Sequence, residues 1–162
     1  MRIRQALVSD ALDIAKVQVN SWKTTYKGIV PSSYLNQMTF ERRQPKWEEL
    51  IRKTPVFVAE NKSGEIVGFA NGGNERTGTY PGYPGELYAI YLLQEYQRMG
   101  VGQELWKNVV DVLRQNGMDA LLVWVLKDNP SRFFYESLGA EEIDQKEIEI
   151  GGKRLIEVAY GW

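Results

Sequence analysis

Residues Glu86 to Trp106, ELYAIYLLQEYQRMGVGQELW, constrain the fold of this chain more than any other stretch. They read as a strand, a glycine-bearing turn and a helix. Glu86 to Leu93 alternates its side chains and is rich in Tyr, Ile and Leu, the pattern of a half-buried strand. Gln94 to Met99 is polar and breaks that pattern. After Gly100-Val101-Gly102, the residues Leu105, Val109, Val110, Val112 and Leu113 recur at helical spacing. Two glycines at a helix entrance let the backbone bend sharply and let a ligand come close to the main chain. The first N–H groups of such a helix have no partner within it and carry the positive end of its dipole. The turn is therefore suited to seat a phosphate.

Two common phosphate motifs do not fit. A dinucleotide fingerprint needs a third glycine where this chain has Leu105, and an acidic residue about 20 positions on, where it has Leu121-Leu122-Val123-Trp124. A P-loop needs Gly-Lys-Ser/Thr, which does not occur. What remains is Gln97-x-x-Gly100-x-Gly102. Six positions are a short pattern, and an ordinary strand–turn–helix satisfies it too.

Two missing residue types narrow the chemistry. There is no Cys, which removes disulfides, thiolate metal sites and a thiol nucleophile. There is no His, which removes Ser-His triads, the usual zinc ligand sets and the commonest general base. Proton transfer must rely on carboxylates, Tyr, Lys, backbone groups or water, and no metal site is expected. A formal net charge of -1 gives no basic field for nucleic acid or an anionic membrane. At 162 residues, one domain spanning 1–162 with a sizeable core is expected. Met1-Arg2-Ile3-Arg4 does not read as a signal segment, and the longest apolar run, Ala120 to Leu126, is too short to span a bilayer. The expected location is the cytoplasm.

In chain order, Arg2 to Ala6 reads as a strand. Ser9 or Asp10 can cap a helix with Ile14, Val17, Val19 and Trp22 on its apolar face. That helix should end near Gly28, and Pro31 should begin a short segment carrying Tyr34, Leu35 and Met38. A third helix covers Phe40 to Arg52. Pro55–Glu60 and Glu65–Asn74 read as strands of a hairpin, and Gly78 to Gly85 as an exposed loop. Asp119 to Leu126 is nearly all apolar, as in a strand covered on both faces. Pro130 and Gly139 bracket a last helix, and Gly151-Gly152 joins two closing strands, about Ala140–Ile150 and Lys153–Tyr160. Trp22 and Tyr26 suit either core and loop packing or the wall of an acceptor pocket.

Three segments carry a resemblance to the GNAT superfamily of N-acetyltransferases. They are Ser21-Trp22…Tyr26-x-Gly28…Pro31, the block Glu86 to Gly102, and Asn129-Pro-x-Arg132-x-Phe134-Tyr135-Glu136-x-Leu138-Gly139. The order of elements resembles that family from end to end, and Glu157-Val158-Ala159-Tyr160-Gly161-Trp162 resembles one bacterial subgroup. Gln97 stands where other members have Arg, and Ala140 where the subgroup often has Gly. The resemblance implies an α/β (α+β) fold: one mixed, mostly antiparallel sheet of about seven strands with splayed central strands, flanked by helices.

It also implies an acetyl-CoA-dependent transfer to a primary amine. Donor phosphates would meet the loop Gln97, Arg98, Met99, Gly100, Val101 and Gly102, with Arg132 and Arg98 as further phosphate partners or as solvated surface. The strand of Ile90, Tyr91 and Leu92 would pair with the pantetheine arm, and the Leu92 N–H would polarise the thioester carbonyl. Asn129 would hydrogen-bond the cofactor, serve as a turn residue, or do both. Tyr135 would protonate the leaving thiolate, since a phenol with a pKa of about 10 stays protonated at neutral pH. The base would be Glu86, expected on the face of Tyr88, Ile90 and Leu92 or else at an exposed strand end, or a water chain. Trp22 and Tyr26 would line the acceptor pocket. The acceptor is a small molecule or a protein amine, and a homodimer is compatible with the family. A non-catalytic acyl-CoA-binding or sensing domain would keep Gly100 and Gly102 without needing Tyr135 or Glu86. An acyltransferase for longer chains is a further alternative.

Overall fold

The computed structural model describes residues 1–162. Strand β1 (Arg2–Gln5) leads through a single 3-10 turn into helices α1 (Ala11–Thr25), α2 (Ser32–Gln37) and α3 (Phe40–Lys53). Strands β2 (Val56–Glu60), β3 (Ile66–Asn74) and β4 (Gly85–Leu92) follow, then α4 (Val101–Gln115), β5 (Leu121–Leu126), α5 (Arg132–Ser137), β6 (Glu141–Ile150) and β7 (Lys153–Gly161). The strands form one sheet in the order β1-β2-β3-β4-β5-β7-β6. Every neighbouring pair is antiparallel except β4 and β5. The mixed, mostly antiparallel seven-stranded sheet expected from the sequence is present.

The parallel pair is the feature that makes a site. β4 and β5 pair only through Gly85–Leu121, Glu86–Leu122 and Leu87–Val123. Beyond Leu87, β4 stays on β3 as far as Leu92, and β5 stays on β7 as far as Leu126. The two strands part, and a wedge opens in the middle of the sheet.

The register also jumps within β4. Asn71 pairs with Ala89, but Gly72 pairs with Leu87, so Tyr88 is an extra residue on β4. Such a bulge inverts the alternation of faces beyond it. Leu87, Ile90 and Leu92 pack toward α4, while Ala89 and Tyr91 pack toward α1 and α3. By alternation Glu86 therefore shares its side with Ala89 and Tyr91, not with Ile90 and Leu92 as uninterrupted alternation predicts.

Helix α4 covers one face of the sheet with Val101, Leu105, Val109, Val110 and Leu113, all buried at helical spacing. It lies so close to β3 that a Cβ on Gly72 would come within 2.7 Å of the Glu86 carbonyl oxygen and 2.9 Å of Val109 Cγ1. Leu105 is fully buried, and truncation to Ala would cost about 2–5 kcal/mol. On the other face, Ile14, Ala15 and Val17 of α1 meet Trp47, Val58 and Phe69. Asp10 precedes α1 but does not cap it through its side chain. Its carboxylate instead accepts from the Leu7 N–H (2.7 Å) and from the Arg4 guanidinium (2.7 and 3.0 Å). No helix is long and apolar enough to cross a membrane.

Candidate active site

Where β4 and β5 part, a cavity of about 330 Å³ opens. Trp22 and Tyr26 reach it from the end of α1, Glu86, Ile90 and Tyr91 from β4, and Asn129 and Tyr135 from the turn and helix after β5. These residues span most of the chain length, and the wedge brings them together. Leu92, Gln97 to Gly102 and Arg132 do not line this cavity.

The edge of β4 that faces the wedge is main chain. The Leu93 N–H donates to Val67 O on β3 (2.9 Å), so the antiparallel alternation turns the main-chain groups of Ile90 and Leu92 away from β3. The Leu92 carbonyl is occupied by Ser21 Oγ (3.4 Å) and Gln97 Nε2 (3.2 Å). Gln97 therefore turns its side chain back onto the strand. The loop then twists through two left-handed residues, Arg98 (φ 62°) and Gly100 (φ 81°), and Gly100 stands at the entrance of α4. Arg98 is the only non-glycine residue with positive φ, a conformation that costs about 1–3 kcal/mol and needs a reason. Left-handed residues beside right-handed ones turn consecutive N–H groups toward one point, a concavity for anions. The loop side chains are exposed up to Gly100, Val101 is buried, and a Cβ at Gly102 would sit 3.5 Å from Phe134. The Arg132 guanidinium lies over the Phe133 ring, 5.0 Å from its centroid.

Tyr135 is packed edge-on against Phe134 and Trp162, with ring centroids 5.4 and 6.0 Å away. Burial pushes its phenol well above the ordinary value, and the neighbouring Tyr26 adds to the effect. Across the cavity, the Tyr26 and Tyr91 hydroxyls are 3.1 Å apart, and Asn129 Nδ2 donates to Tyr26 Oη (3.3 Å). Burial raises the Tyr26 phenol too, against the pull of those two hydrogen bonds. Asn129 Oδ1 accepts from the Ser131 N–H (2.9 Å), so this side chain shapes the turn into α5 and reaches the cavity at once. Trp22 lies 4.6 Å from Tyr26, ring to ring, and its buried indole N–H is unpaired.

Glu86 is not at an exposed strand end; its side chain is 1% exposed. It accepts from the Arg76 main-chain N–H (3.1 Å) and from the Arg76 guanidinium (3.1 and 2.5 Å). Burial alone would lower the Arg76 pKa, but the hydrogen bonds and charge of Glu86 hold it above its ordinary value. Sequence reasoning missed Arg76, and with it Trp124, Lys146 and Glu157, which line the same cavity. An Arg two residues after the strand that pairs with the Glu-bearing strand was the available signal.

The comparisons with known proteins agree with this geometry. Residues 19–140 match the model of the acetyltransferase (GNAT) family. An uncharacterised N-acetyltransferase of Bacillus subtilis is 44% identical over 160 residues, covering 99% of this chain and 91% of that protein. Among solved structures, a ribosomal-protein-alanine N-acetyltransferase of Brucella melitensis superposes with a TM-score of 0.78 at 21% identity, over 100% of this chain and 99% of that one. A PaiA N-acetyltransferase of Thermoplasma acidophilum, solved in complex with coenzyme A, superposes with a TM-score of 0.75 at 22% identity, over 96% of each chain. The wedge between β4 and β5, the glycine turn that opens α4 and the match over residues 19–140 together make this chain a member of the acetyltransferase (GNAT) family and an N-acetyltransferase.

Proposed function

We propose that the chain transfers an acetyl group from acetyl-CoA directly to a primary amine. The observation that carries this reading is the wedge. It leaves the main-chain groups of Ile90 and Leu92 unpaired by β5, beside a cavity that holds Tyr135 and Glu86, and β4 runs from there into the anion-suited loop before α4. A pantetheine arm is a chain of amides that can pair with the β4 edge as a strand would. The N–H groups of Arg98 to Gly102 would take the phosphates, and Asn129 would face the arm. The relative from Thermoplasma acidophilum, crystallised with coenzyme A, supports the same donor class.

Each residue then has a task. The Leu92 N–H relieves charge on the carbonyl oxygen. Glu86 draws the ammonium to the cavity and takes its proton, directly or through water. The amine nitrogen bonds to the acetyl carbon as the carbon–sulfur bond breaks, and its second surplus proton, like the one on Glu86, passes to water. Tyr135, kept protonated by burial, gives its proton to the departing thiolate and recovers one from solvent. With neither Cys nor His in the chain, an acetylated enzyme has no ready nucleophile. Initial rates of thiol release at varied acetyl-CoA and acceptor concentrations should therefore give intersecting lines. Parallel lines, or an acetylated protein that passes its acetyl group on, would refute direct transfer.

A further inference from the structure

Two ion pairs line the cavity where the β3–β4 loop meets β4, β6 and β7. Each has its cation lying on an aromatic ring. Arg76 grips both oxygens of Glu86, and its guanidinium carbon stands 4.7 Å from the centroid of Tyr88. Lys146 Nζ lies 3.3 Å from Glu157 and 4.2 Å from the centroid of Trp124. All six residues line the cavity. The carboxylates are the sheltered members: Glu86 and Glu157 side chains are 1% and 19% exposed, whereas those of Arg76 and Lys146 are 60% and 46% exposed.

Arg76 fills three of the acceptor sites of Glu86, so an amine that arrives there as an ammonium competes with the guanidinium for the carboxylate. The Arg76 main-chain N–H keeps its oxygen, since it bonds Oε1 while the guanidinium bonds Oε2. An acceptor that carries only the ammonium leaves the guanidinium, on a side chain 60% exposed, to water and crowds a second cation against it at Glu86. An acceptor that also carries a carboxylate makes the exchange even. Its ammonium pairs with Glu86, and its carboxylate takes the planar fork of Arg76, which matches carboxylate geometry. A polycation would instead bring extra positive charge against both Arg76 and Lys146.

Resting on the acetyl-transfer reading above, we propose that the acceptor is a small zwitterion, a primary amine bearing a carboxylate and an apolar side group, and that Arg76 selects it. The cavity of about 330 Å³ suits a molecule of amino-acid size. The apolar group meets the rings of Tyr88 and Trp124, and Ile148 beside them.

The test is acetyl-CoA-dependent thiol release with matched acceptors: leucine, methionine and phenylalanine, the amide of each, and the amine that each gives on decarboxylation, with spermidine as a polycation. The free amino acids should exceed their amides and amines in kcat/KM by at least tenfold, chiefly through KM. Arg76→Gln should narrow the acid-to-amide ratio by at least tenfold, and Arg76→Lys should restore part of it. Equal use of acid and amide, or a preference for the bare amine or spermidine, overturns the proposal and leaves the transfer reading standing. An Arg76→Gln variant that slows acid and amide by the same factor makes Arg76 structural and also overturns it. No thiol release from any of these acceptors, with acetyl-CoA still raising the melting temperature, overturns the proposal; the transfer reading falls only if peptide and protein amines also give none. The wild-type comparison decides even if the Arg76 variants fold poorly.

Discussion

The two halves of the wedge are built from different materials. The half proposed to hold the donor is main chain: the β4 edge at Ile90 and Leu92, and the turn through Arg98 and Gly100 into α4. The half proposed to hold the acceptor is side chain: Arg76 and Glu86, Lys146 and Glu157, and the rings between them, contributed by a loop and four strands. A main-chain site recognises any ligand with the right repeat of donors and acceptors, and most substitutions around it leave it intact. A side-chain site is re-specified by a single substitution. The difference suits an enzyme with a fixed donor and an acceptor chosen by its own lineage. Tyr135 and Asn129 sit where the halves meet.

The sharpest break should come at that junction. Tyr135→Phe removes one hydroxyl and keeps the ring against Phe134 and Trp162. We expect kcat to fall by about 10²–10⁴-fold with KM for acetyl-CoA unchanged, the span of a lost general acid. Turnover at the wild-type rate would make Tyr135 a packing residue. The next effect isolates the donor half. Gly100 has φ 81° and open space around its missing Cβ, so Gly100→Glu adds strain and a negative charge where phosphates would sit, without a clash inside the protein. Acetyl-CoA at about one hundred times its Kd should stabilise the wild type by about 2.7 kcal/mol and the variant by almost nothing, read as melting temperature with and without ligand. An undiminished shift would remove the loop from the donor site.

The donor half was also the more legible. Its elements lie in one stretch, and the period-two pattern, the glycines and the helical period of Glu86 to Leu113 announce strand, turn and helix in order. The acceptor half was not, for physical reasons. Alternation alone puts Glu86 on the side of Ile90 and Leu92, but the bulge at Tyr88 inverts it, and a bulge leaves no mark in composition. Arg76 meets Glu86 across a loop of glycines and prolines, and Lys146 meets Glu157 across β6 and β7; in both cases register, not spacing, makes the contact. Asp10 looked like a helix cap, yet Arg4 and the Leu7 N–H offer its carboxylate better partners.

Asn129 should give a smaller effect that tests whether the halves are joined. Its Oδ1 holds the turn that leads to Tyr135, and its Nδ2 donates to the Tyr26 hydroxyl in the cavity wall. Asn129→Ala leaves the part-buried Ser131 N–H and the buried Tyr26 hydroxyl each short of a partner, at about 1–3 kcal/mol in stability by urea unfolding. If the turn and Tyr26 are independent of one another, Tyr26→Phe in the Asn129→Ala background should cost as much as it does alone. We expect it to cost less, because the lost partner is shared.

The last effect is confined to alkaline pH. Tyr26, Tyr91 and Tyr135 all have phenols raised by burial; the hydroxyl end of Tyr91 is enclosed although the residue is only half-buried overall. A group whose pKa is raised by folding keeps its proton in the native state after the unfolded chain has begun to release it at about pH 10. Its contribution to stability is complete below that pH and is lost as pH rises through the folded value. Two outcomes follow from the same sign. Turnover should show no decline from Tyr135 below about pH 10, because the acid stays charged with its proton through that range. Unfolding free energy should begin to fall with pH only above about 10, and less steeply in Tyr135→Phe, which removes one of the protons released. A native-state loss of activity at lower pH that Tyr135→Phe abolishes from the residual rate would show a phenol already ionising in the cavity. Proton donation would then have to be assigned to water.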